Sequence, residues 1–153
     1  MPDKSKTEVK AHYQTCQLKQ EEIKKKFLSC PTKESRYQKI IELGKTLRGV
    51  PSIFKTEEYL VTGCQSRVYL CAELCEGRMH FSAESEALIS AGLAALLIKI
   101  YSDEFPEVIL KCPPLFIEEL GLLASLSPNR SNGFSSIYLR MKQEALKYAC
   151  LSN

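Results

Sequence analysis

Residues 68–85 constrain the fold more than any other stretch of this chain. Val68, Leu70, Ala72 and Leu74 alternate with Tyr69, Cys71, Glu73 and Cys75. Successive strand side chains point to opposite faces, so the pattern predicts a strand with one wholly apolar face toward the core. Glu76-Gly77 follows as a two-residue hairpin loop. The resulting register sets Leu74 opposite Met79, Ala72 opposite Phe81 and Leu70 opposite Ala83, with His80 opposite Glu73 on the polar face. A slip of one residue would carry the apolar set to the wrong side, which favours this register. Tyr59, Leu60 and Val61 suggest a further short strand, giving a small antiparallel sheet of about three strands.

The rest reads as helix and loop. Val9, Tyr13, Cys16, Ile23 and Phe27 form a helical stripe over residues 1–30, interrupted by Gln20. The Lys24-Lys25-Lys26 run reads as the solvated face of that helix or as a basic patch. Tyr37, Ile40, Ile41, Gly44 and Leu47 make one face of a second helix over about 33–47, with Ser35 and Gln38 as a candidate capping box. Ser85 is the expected N-cap of a helix over 86–101. Gly92 inside that helix costs about 1 kcal/mol against Ala, which points to close backbone packing there. Short helical turns start at Pro106 and at Pro113-Pro114. Residues 127–133 read as a loop leading into a last helix that ends near Tyr148. The class is α+β, with the sheet covered on one face by helices.

At 153 residues the chain fits one domain. Its net charge of +3 is too small to argue for nucleic acid. The apolar stretch 87–100 falls short of the ~20 residues needed to span a bilayer. The N-terminus lacks an apolar signal core, and the seven cysteines are odd in number. These features place the chain in a reducing cytoplasm with free thiols.

The cysteines invite a metal reading first. Cys71 and Cys75 share a strand face but lie about 13 Å apart at ~3.3 Å per residue. Two thiolates on one zinc must lie within about 4 Å of each other. A zinc site from Cys64, His80 and a distant cysteine stays open, beside a solvated His80–Glu73 pair. His12 has no evident catalytic partner. No phosphate-cradling loop is present. Cys64 differs from the other six in standing at a turn tip, between Gly63 and the polar Gln65 and Ser66, with Arg67 as a nearby cation. Gly63 permits a positive φ and a mobile tip. A thiol presented this way suits thiolate exchange with a partner, and it also suits an inert loop cysteine.

Gly63-Cys64-Gln65-Ser66-Arg67-Val68-Tyr69 resembles the GCQSxVW motif of the SufE family, which includes its paralogue CsdE. The resemblance continues through Phe27-Leu28-Ser29-Cys30, the segment from Tyr37 to Gly44, Ser85-Glu86-Ala87 with Gly92-Leu93, the segment from Phe116 to Gly121, and the segment from Leu126 to Gly133. It covers residues 19–150 as one sulfur-acceptor domain and leaves 1–18 as a helical extension. Tyr69 stands for the usual Trp and Glu86 for the usual Asp, and residues 50–61 match poorly.

The resemblance implies a fold like that of SufE and the iron–sulfur scaffold proteins such as IscU. It implies a sulfur acceptor and activator of a cysteine desulfurase, carrying sulfane sulfur as a persulfide on Cys64 for an iron–sulfur assembly complex. Such a chain is a carrier rather than a stand-alone enzyme, and it binds no cofactor of its own. The pyridoxal phosphate belongs to the desulfurase. The family's arginine falls on Arg130, which would steady the thiolate, dock the partner or pair with a carboxylate. Other readings are a metal- or cluster-holding scaffold and a module that regulates a desulfurase without accepting sulfur.

Overall fold

A computed structural model describes residues 2–151, with side chains from residue 6 onward. Met1, at the start of the expected extension, lies outside the described residues. The elements are α1 (Pro2–Leu28), α2 (Lys33–Gly44), β1 (Val68–Cys75), β2 (Arg78–Ser85), α3 (Leu88–Tyr101), α4 (Pro106–Lys111), α5 (Leu115–Glu119) and α6 (Pro128–Leu151). Short 3₁₀ turns lie at Ser52–Phe54, Glu57–Tyr59 and Leu123–Ser125.

The hairpin has the expected register: Leu70 pairs with Ala83, Ala72 with Phe81, Glu73 with His80 and Leu74 with Met79. Glu76 (φ 52°) and Gly77 (φ 81°) both adopt the left-handed region, as a two-residue turn that matches strand twist requires. The described sheet has two strands rather than three. Residues 57–59 coil into a 3₁₀ turn, and only a single bridge, Leu60 to Tyr69, remains of the third strand. The apolar face of β1 also fades toward its end. Val68 and Leu70 are buried, while Leu74 is 39% exposed and lines a cleft with residues of α1 and α4.

α3 lies against β2, and α6 against β1. α3 is almost wholly buried because α1, α2 and α6 also contact it. Its crossing with α2 explains Gly92: a Cβ there would fall 2.1 Å from the Ile40 carbonyl oxygen. A Cβ on Gly44 would fall 2.8 Å from the Gly92 nitrogen. The two glycines let the backbones of the two helices touch.

Helix starts differ from the expected ones in three places. Thr32 caps α2, with its hydroxyl accepting from Ser35 N–H and the Ser35 hydroxyl accepting from Thr32 N–H; the box lies one turn earlier than Ser35-Gln38. Ser85 remains in β2 and its hydroxyl accepts from Ala87 N–H at 3.2 Å, so Ala87 takes the N-cap position. Residues 128–133 are helix, not loop. Ser127 accepts from Arg130 N–H at 3.4 Å, and Ser131 N–H bonds the Ser127 carbonyl at 3.0 Å. Ser at the cap with Pro next is a strong start signal, here masked by the polar run and by Gly133.

α1 docks through two polar anchors. Glu104 is fully buried, with His12 Nδ1 2.6 Å from one carboxylate oxygen and Lys19 Nζ 3.1 Å from the other. Gln20, which breaks the apolar stripe, donates to the Cys112 sulfur at 3.3 Å and to the Pro113 carbonyl at 3.1 Å, and accepts from Phe116 N–H at 3.4 Å. Burial of a polar side chain is tolerated when its partners are present. α1 runs unbroken through residue 18. Of the lysine run, Lys24 pairs with Glu119, while Lys25 and Lys26 are exposed.

Candidate functional site

The turn carrying Cys64 is clipped at its base. Val61 N–H bonds the Val68 carbonyl at 2.9 Å, beside the Leu60–Tyr69 bridge. Arg140 of α6 holds the segment leading into it, donating to the Leu60 carbonyl at 2.9 Å and to the Glu58 carbonyl at 2.7 Å. Gly63 has φ +95°, and a Cβ there would lie 2.5 Å from the Ser136 hydroxyl. The glycine therefore serves both the left-handed turn and close approach to α6.

This approach brings the Cys64 thiol onto the backbone of α6. It donates to the Gly133 carbonyl oxygen at 3.6 Å. Cys64 is half-buried. Burial pushes its pKa above the ordinary thiol value, since an ionised sulfur loses solvation there.

Cys64, Gln65, Ser66 and Arg130 line one open cleft of about 700 Å³, together with Ile41 and the exposed Leu88. Arg130 stands over the Tyr37 ring, 5.7 Å from its centroid, and the Tyr37 hydroxyl donates to the Ser125 carbonyl at 2.6 Å. The ring gives the guanidinium a fixed seat beside the cleft. Arg67 lines a neighbouring cleft with Lys55, Tyr69 and Glu84, and Ser66 borders both. The nearby cation expected at Arg67 is thus turned away from the thiol's cleft. Ser136 and Arg140 carry no local sequence signal, because each acts from a distant element; Tyr37 and Gly133 fall in matched segments, but nothing local shows that they meet Arg130 and Cys64.

The geometry does not assemble the Cys64–His80 zinc reading. His80 lines a different cleft, with Cys71 and Glu73, and lies 3.9 Å from Asp103. Among the described residues no group of three His, Cys, Asp or Glu side chains could hold a metal ion. No helix among them is long and apolar enough to cross a membrane.

The fold and this site define an α+β domain that presents a thiol on a clipped turn against a helix backbone. Residues 21–145 match the model of the SufE family, described as an Fe-S metabolism associated domain, and the chain belongs to that family. It is 39% identical to SufE-like protein 1, chloroplastic/mitochondrial, of Arabidopsis thaliana over 84% of this chain, which spans 35% of that longer protein. It is 37% identical to the sulfur acceptor protein CsdE of Escherichia coli, over 68% of this chain and 72% of that one. A solution structure of a hypothetical protein from Thermus thermophilus superposes with a TM-score of 0.71 at 26% identity, covering 84% of this chain and 94% of that one.

Proposed function

We propose that this chain accepts sulfane sulfur from a pyridoxal-phosphate cysteine desulfurase and carries it as a persulfide on Cys64 to an iron–sulfur assembly complex. The Cys64 sulfur attacks the outer sulfur of the desulfurase's cysteine persulfide. A new S–S bond forms at Cys64, the old one breaks, and the desulfurase thiolate leaves and takes up the proton that Cys64 gives up. No net oxidation occurs, as in thiol–disulfide exchange. The observation that carries this reading is the Cys64 thiol on a clipped turn lining an open cleft that Arg130 also lines, in a member of the SufE family.

Gly63 and Ser136 set the turn's position, Gln65 and Ser66 line the approach, and Arg67 offers a cation on the adjoining surface. Arg130 meets the incoming persulfide or a partner carboxylate. The pyridoxal phosphate stays with the desulfurase, and this chain supplies only the thiol. The odd number of cysteines suits a reducing compartment such as the cytoplasm. Incubation with an active desulfurase and cysteine should add one sulfur atom to the Cys64 peptide, removable by reductant. If the desulfurase turns over and that peptide keeps its mass, the chain is a regulator rather than an acceptor.

A further inference from the structure

The segment leading to the thiol runs along α6 in the opposite sense and meets it at a series of points. The Glu58 and Leu60 carbonyls accept from Arg140 at 2.7 and 2.9 Å. Gly63 lies against Ser136, and the Cys64 thiol donates to the Gly133 carbonyl. Residues 133, 136, 140 and 144 fall at the spacing that lines one face of a helix. Arg140 is braced on that face: its Nε donates to a Glu144 carboxylate oxygen at 3.3 Å, and Lys147 approaches the other oxygen at 3.5 Å. The Arg140 and Glu144 side chains are 19% and 16% exposed. All three nitrogens of the guanidinium thus donate to acceptors of this chain.

We propose that Arg140 is a positioning residue for the Cys64 thiol, acting through the Glu58 and Leu60 carbonyls to set where on α6 the turn is seated. This rests on the proposed function, in which that thiol meets an incoming persulfide. Glu57–Tyr59 is a single 3₁₀ turn and Leu60 is already extended, so the backbone changes conformation where Arg140 grips it. Carbonyls at a helical end lack partners within the helix. The rigid fork of an arginine holds two of them in one geometry, which the point charge of a lysine does not. Val61 then bonds Val68 and closes the turn. Leu60 stands four residues before Cys64, so a shift at the clamp passes to the sulfur through a short closed path.

Arg140 does not line the Cys64 cleft, so it acts through the backbone and not by touching the sulfur being transferred. Both gripped carbonyls lie within residues 50–61, the stretch that matches the family pattern poorly, so the clamp is not part of what the resemblance implies. Attack on a persulfide needs the nucleophile aligned with the S–S bond, and a misplacement of about 1 Å costs on the order of 100-fold in rate. With the clamp open the turn keeps its thiol but loses its fixed register on α6. Sulfur loading at saturating partner should fall. The concentration of chain that gives half-maximal loading should hold, because the guanidinium is engaged by its own chain and not by the partner.

The test has two arms. In the first, the free full chain is alkylated with iodoacetamide and Cys64 is followed by mass spectrometry, while Cys16 and Cys112, 0% and 2% exposed, report an intact fold by staying unmodified. Cys64 of Arg140→Gln should react roughly tenfold faster, the factor carried by one lost hydrogen bond from a charged donor. In the second, an active desulfurase and cysteine load the chain. Arg140→Gln should load roughly 10- to 100-fold more slowly at saturation with half-saturation unchanged, and Arg140→Lys should fall between it and the parent chain. Glu144→Gln loosens only the brace on Nε and should shift both readings the same way by less; it takes the place of Arg140→Gln if that variant exposes Cys16. Parental values of both readings in the folded variants overturn the proposal. A raised half-saturation with an unchanged saturating rate also overturns it, since Arg140 would then contact the partner. If the parent chain itself takes up no sulfur, the proposed function fails, and the alkylation arm alone decides for or against Arg140.

Discussion

Cys64 and Cys112 carry the same sulfur in opposite hydrogen-bonding roles. Cys64 donates to the Gly133 carbonyl, with burial opposing its ionisation. Cys112 accepts from the Gln20 amide at 3.3 Å. The more exposed thiol is therefore the one held protonated, and the nearly inaccessible one is the one favoured to ionise. Exposure alone does not rank these cysteines. The polarity of the neighbour does, because a carbonyl favours the protonated sulfur and an N–H favours the charged one.

The sharpest test of that contrast is Cys64→Ser. Sulfur loading from a desulfurase should vanish, with folding stability changed by no more than about 0.5 kcal/mol for a turn-tip residue outside the core. Loading that persists elsewhere in this variant would dissolve the distinction between the two thiols. Gly63→Ala comes next. A side chain in the left-handed region costs roughly 1–2 kcal/mol, and contact with Ser136 should push the turn off α6. The expected readouts are a lower melting temperature and faster alkylation of Cys64 in the free protein. Unchanged values for both would show that the seat on α6 does not control access.

Tyr37→Leu removes the ring beneath Arg130. A cation–π contact at an exposed site is worth about 0.5–1 kcal/mol, so sulfur transfer should slow roughly two- to fivefold. Arg130→Ala should slow it at least as much, and the double variant no more than Arg130→Ala alone. Additive losses would mean that Tyr37 acts separately.

The two sulfurs should also part company with pH. Raising a thiol's pKa moves its thiolate to higher pH. The alkylation rate of Cys64 should therefore still be climbing as pH passes the ordinary thiol value of 9.0. Cys112, held below the ordinary thiol range, should have an alkylation profile that levels off at lower pH than that of Cys64. Coincident profiles would erase the comparison. The smallest effect is expected from Cys71→Ala and Cys75→Ala, which should leave sulfur transfer unchanged in the same assay.

The hairpin was legible because period-2 alternation, the turn residues and the pairing register are local and agree with one another. Cys64 was legible for a similar reason, standing in a contiguous motif at a turn. What escaped was set by contacts across long separations. Gln20 looked like a flaw in an apolar stripe until Cys112 and Pro113 met it from 92 and 93 residues away. His12 lacked a partner until Glu104 reached it. The α6 start was a different kind of miss. Ser127-Pro128 states it locally, and the polar run with Gly133 pointed to a loop, although Gly133 lies in the helix and its carbonyl accepts from the thiol.

The hydrogen bond from Cys64 to Gly133 couples chemistry to motion. Only a protonated sulfur can make it. Once the proton leaves, two electron-rich atoms face each other at 3.6 Å, and the contact that held the turn becomes a repulsion. Deprotonation and release are then one event with a shared free energy, so a partner that binds the outward-swung turn also strengthens the acid it has come to ionise. On the proposed function, one contact then keeps the thiol protonated while the turn is seated and frees it to ionise once a partner draws the turn outward.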